Sequence, residues 1–149
     1  MATNLLPADF KEFLKLPNSQ QVDYLLIGGY DVGYYGYPRA TADADIWIAI
    51  NPSNAKKIAA AIREFFGSDV EGAAPELFLQ ENKIARMGVP PFRIEILTTI
   101  SGVAFDECYA ERVMDKIDGI EVNLISLKHL KVNKKASGRL KDLNDLEHL

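Results

Sequence analysis

The chain has 149 residues, enough for one compact domain with a core and too few for two of ordinary size. Its 48% hydrophobic and 26% charged content excludes a disordered polymer, and no apolar run reaches the ~18 residues that a membrane-spanning helix needs. A net charge of −4 speaks against a general nucleic-acid binder, and a single cysteine, Cys108, excludes an intrachain disulfide. The first residues contain acids and lack a basic-then-apolar order, so no secretory signal is expected. The expected setting is therefore a reducing cytoplasm, with Cys108 read as a packing residue.

In chain order, Phe10, Phe13 and Leu14 fall on one side of a helix predicted over 8–16 and ended by Pro17. The run 22–27 (VDYLLI) reads as a buried strand stopped by Gly28-Gly29, and 29–36 as a short helix closed by Gly36 and Pro38. The alternation in 43–50 (DADIWIAI) predicts a second strand. A longer helix follows, started by Pro52-Ser53-Asn54, striped by Ile58, Ile62, Phe65 and Phe66, and closed by Gly67. Residues 68–81 read as a loop with a short helix at 76–79, then 82–87 and 92–97 as two strands around Gly88-Val89-Pro90-Pro91. A helix over 105–112 and a strand pair, 113–117 and 120–122, lead to two final helices. One spans about 126–135, and the other starts near Arg139 with leucines at 140, 143, 146 and 149. The pattern predicts a mixed α/β (α+β) domain over 1–149, a small mixed sheet flanked by helices. Its core is expected at about 20–125 and its C-terminal helical segment at about 126–149.

The chemistry concentrates around the second strand. Side chains at i and i+2 of a strand share a face, so Asp43 and Asp45 project together, with Trp47 and Ala49 beyond them. Ala44, Ile46, Ile48 and Ile50 form the opposite face, suited to burial under a helix. Two adjacent carboxylates repel unless a cation lies between them, and hard oxygen donors suit Mg²⁺ or Mn²⁺. In Arg93-Ile94-Glu95-Ile96-Leu97 the isoleucines turn Glu95 away from the buried face. Should that strand lie beside the aspartates, three carboxylates meet; otherwise Glu95 is an ordinary exposed strand residue. Gly28-Gly29, ending a strand at a helix start, lets backbone N–H groups approach a phosphate or is simply a turn. Arg39, with Thr41 beside it, is within reach of the same phosphates or of an acid at the surface.

Charge is uneven along the chain. Residues 122–141 hold Lys128, Lys131, Lys134, Lys135, Arg139 and Lys141 and no acid, so the remainder carries a net −10 against the −4 of the whole. Such a segment is either a local polyanion site, for a triphosphate, or a solvated helical face.

The ordered set Leu26-Ile27-Gly28-Gly29-Tyr30, Gly33 through Ile46, Arg93-Ile94-Glu95-Ile96-Leu97, Ile100-Ser101-Gly102 and the tail from Ile125 to Leu146 resembles the signature of the minimal nucleotidyltransferases. These belong to the DNA polymerase β superfamily and include the AbiEii-type toxins of abortive-infection and toxin–antitoxin systems. The resemblance covers about residues 20–149. It implies a nucleotidyltransferase fold and transfer of a nucleotide from an NTP such as ATP, with Mg²⁺ or Mn²⁺, onto a hydroxyl of RNA, protein or a small molecule. It implies that Gly28 and Gly29 hold the phosphates and that Asp43 and Asp45 bind metal. Glu95 would be the third carboxylate, binding metal or taking the acceptor proton, and Lys134, Arg139 and Lys141 would lie over the nucleotide. An antitoxin partner would accompany such a toxin.

Three positions depart from that pattern. Asp31 stands where relatives tend to have a small apolar residue, and a carboxylate there is expected to repel a triphosphate by about 1–3 kcal/mol. Glu95 replaces an Asp common among relatives, and Lys128 an acid. Asp31 keeps open an alternative, a nucleotide-binding or regulatory protein of the same fold with weakened catalysis. A different metal-carboxylate enzyme, a phosphohydrolase or glycosyltransferase, would leave Gly28-Gly29 unexplained.

Overall fold

Runs rich in isoleucine, leucine and valine become six strands: β1 (Tyr24–Ile27), β2 (Asp43–Ile48), β3 (Ile84–Val89), β4 (Phe92–Leu97), β5 (Val113–Ile117) and β6 (Ile120–Leu124). The structure is a computed structural model that describes residues 7–37, 43–89 and 92–149. The strands form one mixed sheet in the order β3-β4-β2-β1-β6-β5. β2 runs antiparallel to β1 and parallel to β4, and β1 runs parallel to β6. Antiparallel pairs, β3 with β4 and β5 with β6, form the two edges. Helices α1 (Ala8–Ser19), α2 (Gly29–Tyr34), α3 (Pro52–Phe66), α4 (Phe105–Ala110), α5 (Leu127–Ser137) and α6 (Leu140–Glu147) flank it, with a 3-10 turn at Pro75–Leu79. No helix among the described residues is long and apolar enough to cross a membrane. The expected mixed α/β class is the observed one.

Alternation decides what the sheet buries. Ala44, Ile46 and Ile48 of β2 and Ile94 and Ile96 of β4 pack with Phe10, Phe13 and Leu14 of α1 and Ile58 and Ile62 of α3. Removing each such side chain from water contributes about 1.5–3 kcal/mol. Asn51 caps α3 by accepting a hydrogen bond from the Asn54 N–H at 2.8 Å. The buried Asn54 amide donates to the Asp23 and Ala49 carbonyls at 3.1 and 2.8 Å, which ties the helix start to both central strands.

The other face is also covered. Leu25, Ile27 and Trp47 cluster there with Val32, Cys108, Ile125 and Leu130. The Trp47 indole N–H donates to the Thr98 carbonyl at 3.3 Å. Burial pushes the Cys108 thiol up to about 11, with the charge of Glu107 adding to it, which leaves the thiol inert.

Two expectations need correction. α1 continues through Pro17 to Ser19, because a proline in the last turn removes one N–H while its carbonyl still accepts from Val22 at 2.9 Å. Ile50 lies beyond the end of β2, where alternation no longer applies, and is 37% exposed. In α6 Leu140 is 86% and Leu143 40% exposed and Leu146 is half-buried, while Asp142 and Asp145 are buried.

Candidate active site

Strand register brings the acids together. Asp45 pairs with Glu95 between β2 and β4, Glu95 with Arg86 between β4 and β3, and Asp45 with Ile27 between β2 and β1. Directly paired residues share a face, so Arg86, Glu95 and Asp45 form one row across the sheet. The Ile27 register sets Gly28 beside Asp45. Gly28 has a φ of 77° and a ψ of −150°, and a Cβ there would overlap the Asp45 carboxylate. A glycine is therefore required for the turn and for the close approach of the acid to it.

Gly28, Gly29, Asp43, Asp45, Glu95, Lys134, Arg139 and Lys141 all line one cleft of about 570 Å³. Arg39 and Thr41 lie outside the described residues. The acids and glycines form one wall, and residues of α5 and α6 with the connecting Arg139 form the facing one.

The acid wall is short of positive charge at its centre. Asp45 Oδ1 is buried and has no hydrogen-bond partner. Burial raises the Asp45 carboxyl to about 7; the Glu95 and Asp43 charges and a hydrogen bond with Glu95 add to this, while Lys141 opposes it. Its neighbours hold arginines. Arg93 donates from Nε and Nη2 to the two Asp43 oxygens at 3.0 and 3.4 Å, and Arg86 Nε donates to Glu95 Oε2 at 2.6 Å. With the side chains held this way, no three acids, histidines or cysteines among the described residues are placed to hold a metal ion together. The donor set nevertheless fits a hard divalent cation: three carboxylates on adjacent strands, one with an orphaned buried oxygen.

The basic wall differs from its sequence reading. Lys134 is only 4% exposed, with Nζ at 3.0 Å from Asp142 and 3.1 Å from Asp145. Arg139 donates to Asp142 at 2.7 Å, and Ser137 also donates to that carboxylate. Lys134 is thus a buried tie between α5 and α6 that also borders the cleft. Lys141 is exposed and acts on the Asp45 charge from across the cleft.

Asp31 corrects an expectation. It is fully buried, does not line the cleft, and its two oxygens lack hydrogen-bond partners. Burial holds its carboxyl well above the usual range, with Lys134 pulling weakly the other way. A carboxyl buried out of the cleft does not face a triphosphate there.

Two lining residues, Arg86 and Thr99, escaped the sequence reading, which held Asn133 and Ser137 only as part of the tail motif. The Asn133 amide donates to the Ser101 carbonyl at 3.0 Å and fastens α5 to the loop after β4. Arg86 stands next to the end of the predicted strand 82–87, opposite an acid, and only the register of that pairing identifies it.

No protein-family model matches the chain, and no curated protein matches it significantly. Its backbone is similar to solved structures. A provisionally assigned nucleotidyltransferase from Thermotoga maritima superposes with a TM-score of 0.60 at 13% identity, covering 93% of this chain and 88% of that one. An antigenic nucleotidyltransferase-like protein from Paracoccidioides brasiliensis gives 0.55 at 20% identity, over 92% of this chain and 71% of the other. Such identities speak to backbone and not to substrate: the chain has a nucleotidyltransferase-like fold.

Proposed function

We propose that the protein is a metal-dependent nucleotidyltransferase that moves a nucleotide from an NTP onto an acceptor hydroxyl. The observation that carries this is the meeting of Asp43, Asp45 and Glu95 at the Gly28-Gly29 turn, inside a cleft with a basic facing wall. Asp43, Asp45 and Glu95 would hold Mg²⁺ or Mn²⁺, and Arg93 keeps Asp43 in place for it. Bound there, the cation would supply Lewis-acid stabilisation of the charge on the phosphate oxygens. Gly28 and Gly29 give the phosphates a wall without side chains, and Arg139 and Lys141 face them with positive charge. The acceptor oxygen bonds to the α-phosphorus, the bond from that phosphorus to the pyrophosphate oxygen breaks, and the hydroxyl proton passes to a carboxylate of the trio.

The finer reading, an AbiEii-type toxin acting in a cytoplasm beside an antitoxin, rests on the order of motifs along the chain. RNA, protein and small molecules are all acceptors compatible with the cleft. The alternative of a binding protein with weakened catalysis drew on Asp31 and loses that support, since Asp31 is buried away from the cleft.

The test is incubation with α-labelled NTPs, Mg²⁺ and a cell extract, followed by separation into RNA, protein and metabolites. Label should enter one fraction with wild type and none with Asp45→Asn. Absence of transfer with every NTP, at wild-type fold and millimolar Mg²⁺, counts against the proposal.

A further inference from the structure

Two arginines neutralise the acid wall, and they are built differently. Arg93 lies within β4, holds both oxygens of Asp43, and does not line the cleft. Arg86 lies on the edge strand β3, has a side chain 59% exposed, does line the cleft, and holds Glu95 through Nε alone. Arg93 is fixed at both ends of its fork. Arg86 is anchored only by its backbone, opposite Glu95 in the ladder.

Resting on the reading of this cleft as a metal and nucleotide site, we propose that Arg86 is a built-in counter-ion that competes with the cation for Glu95 and passes to the triphosphate when the cation binds. Arg86 holds one of the two Glu95 oxygens, so a cation drawn to Glu95 competes with a guanidinium already seated 2.6 Å from Oε2 and weakens that pair. The Glu95 side chain is 15% exposed, so without a cation an unpaired carboxylate there would be costly, and Arg86 removes that cost. Once released, the guanidinium stays within a side chain's reach of the cleft, because β3 keeps its Cα against Glu95. The anion then nearest to hand is the polyphosphate, whose oxygens match its planar fork. Arg86 thus links cation and nucleotide binding: each weakens the reason for the other to stay away.

Titration with Mn²⁺ alone, following free Mn²⁺ by electron paramagnetic resonance, tests the first half. Arg86→Ala and Arg86→Gln should each bind Mn²⁺ about fivefold more tightly than wild type. Asp45→Asn should bind none. A residue that merely stiffened the sheet edge would not raise metal affinity when removed. Inorganic tripolyphosphate in excess Mn²⁺ tests the second half, and Arg86→Ala should bind it about tenfold more weakly. Wild-type Mn²⁺ binding that Asp45→Asn abolishes, with no gain in either Arg86 variant, would overturn the role of Arg86 and leave the metal site standing. Unchanged tripolyphosphate affinity in Arg86→Ala would overturn the transfer to phosphate. Absence of Mn²⁺ binding in wild type and in Arg86→Ala alike would overturn this inference and the functional reading together.

Discussion

Two groups of three carboxylates stand in this molecule, and their surroundings separate them. Asp43, Asp45 and Glu95 sit on strands and open onto the cleft. Asp31, Asp142 and Asp145 sit on helices, are at most 1% exposed, and lie around Lys134. For Asp142 and Asp145 the cation is part of the chain, in contact with both, whereas Asp31 makes no hydrogen bond to it. Burial pushes the Asp142 carboxyl up, but hydrogen bonds from Ser137, Arg139 and Lys134 outweigh it and hold it at about 2. In the first group Asp45 is pushed the other way, to about 7, and one of its buried oxygens has no partner. A cluster of acids does not in itself mark a site. An acid cluster with an orphaned buried oxygen at its centre, beside open space, does.

Four substitutions break or sharpen that contrast. Asp45→Asn should lower nucleotide transfer by about 10³-fold or more, since one cation ligand is worth several kcal/mol at the reacting phosphate. Urea denaturation should show the same variant at least as stable as wild type, because an amide there carries no buried charge and can still donate to Glu95. Lys134→Ala should do the reverse. It removes the buried ammonium that Asp142 and Asp145 share and should cost about 3–5 kcal/mol in the same urea experiment. A Lys134 that served only the nucleotide would change affinity and spare stability.

Gly28→Ala comes next, at about 1–3 kcal/mol, because the residue has a positive φ and the new methyl meets the Asp45 carboxylate. Transfer should fall with it, as Asp45 is displaced. The smallest effect is expected from Asp31→Asn. The folded carboxyl titrates above its ordinary 3.8, so the native state keeps a proton that the unfolded chain gives up. Stability from this group is complete below 3.8 and is lost as pH rises through the raised value. Thermal melts from pH 5 to pH 8 should therefore slope downward in wild type and less so in Asp31→Asn. Its nucleotide affinity should match wild type, because Asp31 does not line the cleft.

The same contrast explains what could be read in advance. The alternation of residues 43–48 and the isoleucines around Glu95 fixed which way three acids point, since a strand with one buried face leaves little choice. The second acid group was illegible because its partner is on another helix. Leu140 and Leu143 at helical spacing suggest an inner face, yet α6 turns Asp142 and Asp145 inward to meet Lys134. Asp31 looked like a charge beside the phosphates because Gly28-Gly29 precedes it. The first turn of α2 instead rotates it beneath the surface. Arg86 was invisible for a related reason: its meaning lies in the β3–β4 register, which no local pattern states.

Crystals soaked with Mn²⁺ and a non-hydrolysable NTP, measured at the manganese absorption edge, would locate the ion by its own scattering. A peak bounded by Asp43, Asp45 and Glu95, with Arg86 turned from Glu95 to a phosphate, is the expected result. Saturating Mn²⁺ with no peak at the trio, and Glu95 still held by Arg86, would contradict the assignment of this cleft.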